Sequence, residues 1–437
     1  MNPIKFKGIA KDIDKNSIKI IILFFIFIII LTVAIRIVFF YQGIYLAPKK
    51  YVHDLDISIE SVTPEFVDIF EKTWGTVLFD LAHENNFRKE EIDVLVSRIN
   101  DRGNNVDFLM DAKDLDVKLR KANAFVVILP KKEYSGKEQN LIKGFTDKKG
   151  KLLLISDPDR ENEIDSIAND FNIIFSNDYL FNQKENDGNF KYIFLEKFEK
   201  NTITEKLNRI ALYTSCPILP FENGIAFTGE NTYSSSDEAK IGFAPIALKN
   251  SILAVCDITL FDQPYNTMND NNQLISNIAD FLTKPEKDFS LADFPYFFEK
   301  TTIVTTNLDL SKHAINLKNR LIKADINANI NKTLNRNIDS VAIELFDDFR
   351  ATTIENLAVD ENSFRINNLL FNRKDTSLVH LAKNNVTILT ILADDEEILG
   401  ETLDLLDKEE IRDNLVDDNL AVISGLGVEE EKEESEE

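Results

Sequence analysis

The chain has 437 residues, of which 44% are hydrophobic, so it is long and apolar enough to bury a sizeable core, and an intrinsically disordered protein is excluded. Its 50 Lys and Arg residues against 74 Asp and Glu residues give a formal net charge of −24, which repels nucleic-acid phosphates. With two cysteines, Cys216 and Cys256, neither a disulfide-dense scaffold nor a metal site built on thiolate clusters is available.

Near the N-terminus lies a long apolar segment. Residues 20–35 read IIILFFIFIIILTVAI without a charge, and the apolar character resumes after Arg36 as far as Tyr41. About 20 such residues cross a hydrocarbon core of about 30 Å. A buried core helix is rarely apolar on every face, and a cleaved signal peptide has a shorter apolar run with small residues at its cleavage site. We therefore predict a single transmembrane helix over residues 20–41 that acts as an uncleaved signal anchor.

The charges that flank this segment predict its orientation. The far side turns acidic at Asp54, Asp56 and Glu60. The near side carries five lysines, which are Lys5, Lys7, Lys11, Lys15 and Lys19. Because lysine and arginine are retained on the cytoplasmic side, residues 1–19 are predicted to be cytoplasmic. The predicted location is the cell membrane, with the bulk of the chain extracytoplasmic.

After a connecting segment over residues 42–73, short apolar runs alternate with helical patterns. The run TVLFD at residues 76–80 is followed by apolar residues at helical spacing between Phe87 and Arg102. Ser135 and Glu138 match the S-x-x-E capping box at the start of a later helix. Alternation of this kind is typical of a parallel sheet that is covered by helices on both faces, so residues 74–284 are predicted to form an α/β domain.

A second alternating pattern follows. Residues 285–298, PEKDFSLADFPYFF, are predicted to be a linker whose Phe294, Tyr296 and Phe297 form a contact surface between two domains. Residues 299–426 then predict a smaller α/β domain. The like-charge run EEEKEESEE from Glu429 predicts that residues 427–437 form an acidic, disordered tail.

The order of motifs in the first domain resembles a known family. A strand ending FD-x-x-H, an S-x-x-E helix before KKGKLLL, and a late strand ending in Asp before N-x-Q-x-x-x-N-I occur in sequence between residues 76 and 283. This arrangement resembles family 4350 of the domains of unknown function, which has a class I glutamine amidotransferase-like fold. The resemblance implies a flavodoxin-like sheet on the extracytoplasmic side, without implying a particular reaction.

Amidotransferases place a nucleophile on a Gly-flanked elbow after a strand, followed downstream by a histidine. The matching position here is LISDP, where Ser156 or Asp157 stands in for the thiol. No glycine flanks it, Pro158 follows it, and no histidine lies between His83 and His313. A strained elbow needs small neighbours, so the sequence argues against nucleophilic catalysis.

Polar residues at strand ends are the remaining candidates for a site. Because ligands of open parallel sheets bind beyond the carboxyl ends of the strands, we predict ligand binding by Asp80, His83, Asp157 and Asp262. A lone Asp at a strand end is more commonly a helix cap or a loop residue, so the interpretation that these residues cap helices and shape loops stays open. No catalytic residue, metal site or cofactor is predicted. Cys216 and Cys256 lie in apolar strand patterns, which suits inert core thiols, and a disulfide between them stays open.

Together these features predict a membrane-anchored, extracytoplasmic, non-catalytic binding or assembly module. Its predicted partners are the membrane and an envelope protein, a transporter protein or a glycan, and no nucleic acid. One alternative is a hydrolase of an envelope carbohydrate or peptide in which His83, Asp157 and Asp262 assist. Another alternative is an accessory subunit of a transport system.

The orientation can be tested with protease and intact spheroplasts. An epitope placed after Val428 should be digested, because it lies on the extracytoplasmic side, where the protease is added. An epitope at the N-terminus should be spared, because it lies in the cytoplasm. Lysed spheroplasts, in which both epitopes are digested, provide the control. The opposite protection pattern in intact spheroplasts would overturn the orientation.

Overall fold

The computed structural model describes residues 15–40, 66–236, 242–349, 354, 356–408 and 410–425. The predicted cytoplasmic lysines before residue 15, most of the connecting segment and the acidic tail lie outside the described residues. The chain divides into two compact units, Met1–Glu65 and Phe66–Glu437. Each unit is described by itself.

The first unit contains one helix, α1 (Lys15–Phe40), among its described residues. The span Lys19–Ile37 is long and apolar enough to cross a membrane, and within the described chain none of it is buried. This exposure distinguishes α1 from the core helix of a soluble protein, whereas a signal sequence would share it. The apolar helix is therefore confirmed, and its insertion in a membrane stays a prediction.

The second unit begins with a large mixed sheet and its helices. The strands are β1 (Thr76–Asp80), β2 (Asn105–Leu109), β3 (Ala124–Ile128), β4 (Lys151–Ser156), β5 (Ile174–Phe175), β6 (Leu180–Asn182), β7 (Ile193–Phe198), β8 (Ile210–Leu212), β9 (Ile218–Leu219), β10 (Gly224–Thr228), β11 (Thr232–Ser234), β12 (Ile246–Lys249) and β13 (Ile252–Cys256). The helices are α2 (Asp93–Asp101), α3 (Leu115–Lys121), α4 (Gly136–Asp147), α5 (Asp165–Ala168) and α6 (Asn271–Thr283).

Nine of these strands form one sheet in the order β2-β1-β3-β4-β13-β12-β10-β7-β8. The first five strands in that order are parallel, as predicted, and the last four are antiparallel. The change occurs at β12 and β13, which are joined through only Asn250 and Ser251. A two-residue connection can only return the chain as a hairpin, so this half of the sheet departs from the parallel prediction.

Both faces of the parallel half are buried. Val77 and Phe79 face one core with α2 and α6, while Leu78 between them faces a second core with α3 and α4. This follows from the alternation of side chains along a strand, and it explains why the β1 run is apolar throughout. The predicted capping box is also confirmed, because the Ser135 amide donates to Glu138 Oε2 at 2.8 Å.

A second sheet has the order β15-β14-β16-β21-β20-β23-β22. Its two helices, α7 (Ser311–Lys323) and α8 (Glu396–Asp407), contribute to one core with it. The strands of this part are β14 (Lys300–Val304), β15 (Asn327–Asn331), β16 (Ser340–Leu345), β17 (Ala358–Val359), β18 (Ser363–Ile366), β19 (Leu369–Asn372), β20 (Thr376–Lys383), β21 (Thr387–Ala393), β22 (Leu415–Asp417) and β23 (Leu420–Ser424). Strands β17, β18 and β19 form a separate small sheet.

Residues 285–298 pack closely in the second unit. Phe294 and Phe297 lie in the core of the second sheet with Leu291, so they do not form the predicted contact surface between domains. At the start of the segment the buried Lys287 ammonium donates to the carbonyls of Leu119 at 2.8 Å, Arg120 at 2.7 Å and Ala122 at 3.0 Å. Lys287 therefore caps the C-terminus of α3, where the helix dipole favours a cation, although burial lowers the pKa of Lys287 to about 7.

Replacing Lys287 by Met should lower the free energy of unfolding by about 2–4 kcal/mol, because three buried carbonyls lose their donor. Lys149→Met is the matched control, since Lys149 pairs with Asp288 on the surface, where both side chains are 64% exposed. Guanidinium unfolding of the detergent-solubilised chain measures both effects. Equal midpoints for the two variants would show that the Lys287 cap is not needed.

Candidate functional site

Polar residues collect at the carboxyl edge of the first sheet. Asp80 is the last residue of β1, Asp157 follows β4, and Asp257 follows β13. Because the strands are parallel and β4 and β13 are neighbours, their carboxyl ends lie side by side. The apolar run before each acid places that acid at the end of a strand. The order of the strands in the sheet then determines which of these acids are neighbours.

Asp80 and His83 form the first cluster. His83 Nδ1 lies 3.0 Å from both Asp80 carboxylate oxygens, and His83 Nε2 lies 3.2 Å from Glu138 Oε1. The Tyr134 hydroxyl donates to Asp80 Oδ2 at 2.7 Å, and its ring stacks on the imidazole with centroids 3.8 Å apart. Asn85 Nδ2 also donates to Asp80 Oδ2, at 3.1 Å. The carboxylate and both ring nitrogens therefore have partners within the protein.

The electrostatics of this cluster favour a charged imidazole. Burial disfavours the charge on His83, but the hydrogen bond and charge of Asp80, together with Glu138, outweigh it, so the pKa of His83 is raised. Burial beside Asp80 raises the pKa of Tyr134 well above its ordinary value, so this hydroxyl stays a hydrogen-bond donor. Asp80, His83 and Glu138 thus form one hydrogen-bonded network, in which Asp80 and His83 are buried and Glu138 is 14% exposed.

A second cluster contains Asp157 and Asp257. Burial raises the pKa of Asp157 to about 6, and burial together with the charge of Asp157 raises the pKa of Asp257 to about 8. Asp257 accepts the backbone amides of Tyr213 at 2.5 Å and Thr259 at 2.7 Å. Like charges in one buried site disfavour double ionisation, so this pair retains a proton at neutral pH.

The acid at the carboxyl end of β13 is Asp257, whereas the sequence analysis predicted Asp262 there. The apolar run SILAVCDITLF predicted a strand that continued to Asp262, but β13 ends at Cys256, and a short 3-10 helix over Thr259–Phe261 follows. Asp262 is partly exposed beyond that turn and does not belong to the acid pair. The sequence does contain a signal for the correct strand end, because Asp257 is the first acidic residue after the apolar, β-branched run.

The left-handed backbone position of this edge does not lie at the predicted elbow. A strand-end elbow has a residue in the left-handed backbone region, and neither Ser156 nor Asp157 has a positive φ. Leu129, directly after β3, has φ of +45°. This conformation is strained for leucine. The left-handed residue at this edge thus has an apolar side chain with no nucleophilic atom, and the match of LISDP to an amidotransferase elbow stays a prediction.

Solvent access limits what these clusters do chemically. Asp80 is 1% exposed, His83 3%, Asp157 2% and Asp257 0%. Arg160 follows Asp157 and is held by Glu91 through hydrogen bonds of 3.1 and 2.5 Å. Among the described residues no group of three or more His, Cys, Asp or Glu side chains is arranged to hold a metal ion. These four side chains are therefore almost fully buried, whereas Glu138, the partner of His83, is 14% exposed.

A disulfide joins Cys216 to Cys256, with 5.5 Å between their Cα atoms. Cys256 is the last residue of β13, so the bond lies directly before Asp257. Ser215 Oγ donates to the Cys256 carbonyl at 2.5 Å. The question that the sequence left open is thus resolved in favour of a bond that ties the 213–216 segment to the acid pair.

Comparison with protein-family models finds no match, and comparison with the curated protein sequences finds none either. The solved structures that are similar to about half of the chain include the following two. The mmIFT52 N-terminal domain matches at 13% identity and a TM-score of 0.41, covering 48% of this chain and 97% of that one. A ThuA-like protein from Bacteroides uniformis matches at 9% identity and a TM-score of 0.32, covering 50% and 93%. The resemblance to family 4350 stays a prediction.

The raised pKa of Asp257 predicts a specific pH dependence. The folded state holds this proton up to about pH 8, whereas the unfolded carboxyl loses it near 3.8, so stability falls as pH rises between these values. Relative to Asp257→Asn, which cannot titrate, the wild type should lose on the order of 1 kcal/mol per pH unit between about pH 5 and 7. Asp262→Asn, outside the pair, is the control. Urea unfolding at several pH values measures the difference, and a constant difference would show that Asp257 is ionised throughout.

Proposed function

We propose that this protein is a membrane-anchored, extracytoplasmic binding or assembly module whose amidotransferase-like sheet has no catalytic centre. The observation that carries the proposal is the burial of the groups at the carboxyl edge. His83 and the three strand-end aspartates are at most 3% exposed, and the left-handed position carries Leu129. Catalytic groups must come within hydrogen-bond reach of a substrate atom, and these groups are instead hydrogen-bonded to other groups of the protein.

The disulfide supports the extracytoplasmic part of the proposal. Bonds between cysteines persist in oxidising compartments and are rare in the cytosol. The Cys216–Cys256 bond is formed between buried residues of the second unit. The apolar helix α1 supplies the anchor, and the lysines before it favour a cytoplasmic N-terminus.

A hydrolase is the second candidate because Asp157 and Asp257 have raised pKa values and are charge-coupled. Paired carboxyls of this kind serve as general acid and base in many hydrolases. Here both side chains are buried, and Asp257 is occupied by backbone amides. This observation favours a structural role for the pair. The accessory-subunit alternative shares the binding role and differs only in its partner.

The proposal predicts that the detergent-solubilised chain gives no turnover of ester, amide or glycoside substrates above the rate without protein. The variants His83→Ala, Asp157→Asn and Asp257→Asn are assayed beside the wild type. Because His83 is enclosed, diethyl pyrocarbonate should modify it more slowly than His313, whose side chain is 15% exposed. Mass spectrometry after timed modification measures the two rates.

Two results would contradict this proposal. Turnover that disappears in any of the three variants would show a working active site and favour the hydrolase. Modification of His83 as fast as that of His313 would show that the carboxyl edge opens in solution. Circular dichroism of each variant separates loss of turnover from loss of fold.

A further inference from the structure

The second sheet carries a polar groove that none of the preceding roles uses. Two cavities of about 810 and 470 Å³ adjoin there and share Asn385 and Val386 in their walls. They lie where β14, β16 and β21 begin, beside the turn from β20 to β21 and the turn from β22 to β23. We call this pair of cavities the asparagine groove. Its eight asparagines are Asn327, Asn329, Asn337, Asn356, Asn367, Asn384, Asn385 and Asn419.

The side-chain amides of these asparagines are not used inside the protein. All eight residues are exposed, and within the described chain none of their side chains makes a hydrogen bond to another residue. Asparagines of α6 differ: Asn271 bonds the backbone of Ala211, and Asn277 bonds the carbonyls of Ile203 and Glu205. The groove thus presents unused donors and acceptors to whatever fills it.

Backbone requirements explain some of these residues and leave others unexplained. Asn356 and Asn367 have φ of +62° and +48°, which asparagine tolerates better than most residues. Asn327 and Asn329 lie two residues apart on the edge strand β15, on one face, beside Lys300 and Thr302 of β14. Asparagine is depleted in strands, so strand formation does not account for this pair. Both side chains are exposed and open to a polar ligand.

The charge of the groove restricts the ligand. Lys300, Arg336 and Lys383 are balanced by three carboxylates, those of Asp339, Asp417 and Asp418. Burial lowers the pKa of His380, with Asp417 opposing it, so this wall residue is neutral at pH 7. The groove is thus close to neutral in a chain of net charge −24. The groove therefore offers no net opposite charge to a phosphate or to a cation.

We propose that the asparagine groove binds a neutral, polyhydroxylated ligand, namely an uncharged oligosaccharide. An amide donates and accepts through neighbouring atoms, which matches the paired donor and acceptor character of sugar hydroxyls. Ile338 and Val386 in the walls offer apolar surface to the C–H face of a sugar ring. Two adjoining cavities suit a chain of several sugar units better than a single one. This inference rests on the proposed binding role and names its ligand class.

The test uses the full chain in a zwitterionic detergent, since detergents with sugar headgroups would compete for the groove. Maltohexaose, cellohexaose and the hexamer of N-acetylglucosamine are titrated by calorimetry, with an oligogalacturonate as the acidic comparison. At least one neutral hexamer should bind. Asn385→Ala, at the shared wall, and the double variant Asn327→Ala with Asn329→Ala should each weaken binding by at least about tenfold, since each removes direct hydrogen bonds.

Asn331→Ala is the matched control, because Asn331 lies on β15 but does not line the groove, and it should bind within about twofold of the wild type. The inference is overturned if no neutral hexamer binds, if only the acidic one binds, or if the groove variants bind as the control does. Product analysis of the same mixtures keeps the two proposals separate. A bound hexamer that is cleaved, with cleavage lost in Asp257→Asn, would overturn the non-catalytic role and leave the groove standing.

Discussion

A carboxylate that is removed from water needs hydrogen-bond donors, a positive partner or a proton, and three aspartates meet this requirement at one edge of the first sheet. Asp80 is satisfied by an imidazole, a phenol and an amide from three different side chains. Asp257 accepts backbone amides and keeps a proton through a raised pKa. Much of the local architecture, including the loop from Leu81 to Asn86 and the turn after β13, follows from these requirements. The three carboxyl groups themselves are almost fully buried.

Contacts that satisfy buried polar groups also connect the two sheets of the second unit. Lys287 takes up the last carbonyls of α3, and the Lys148 ammonium reaches Ser290 at 2.8 Å and Asp293 at 3.3 Å. These contacts fix the start of residues 285–298, whose phenylalanines then enter the second core. A segment with two prolines and several charges thus becomes an ordered connection, because each of its buried polar groups has a partner.

The local features of the fold were predictable because they depend on short-range periodicity. The β1 strand, the Ser135–Glu138 capping box and the long apolar helix are each encoded within a few neighbouring residues. Asp80 with His83 was predictable as a pair for the same reason. Glu138, which completes the contacts of His83, is 55 residues away, and no local pattern indicates that a helix cap also serves an imidazole. The boundary of β13 was missed because ITLF continues the apolar run although the backbone turns.

The sequence by itself determined the apolar helix, the α/β class and the supply of acids at strand ends, because periodicity and charge act along the chain. Only the tertiary structure decided that Asp157 meets Asp257, that Cys216 meets Cys256, and that the left-handed strand end carries Leu129. It also turned half of the sheet antiparallel and gathered asparagines from separate turns into one groove. These outcomes depend on sheet order and loop closure, which bring together residues that are far apart in sequence, and a single sequence does not specify such pairings locally.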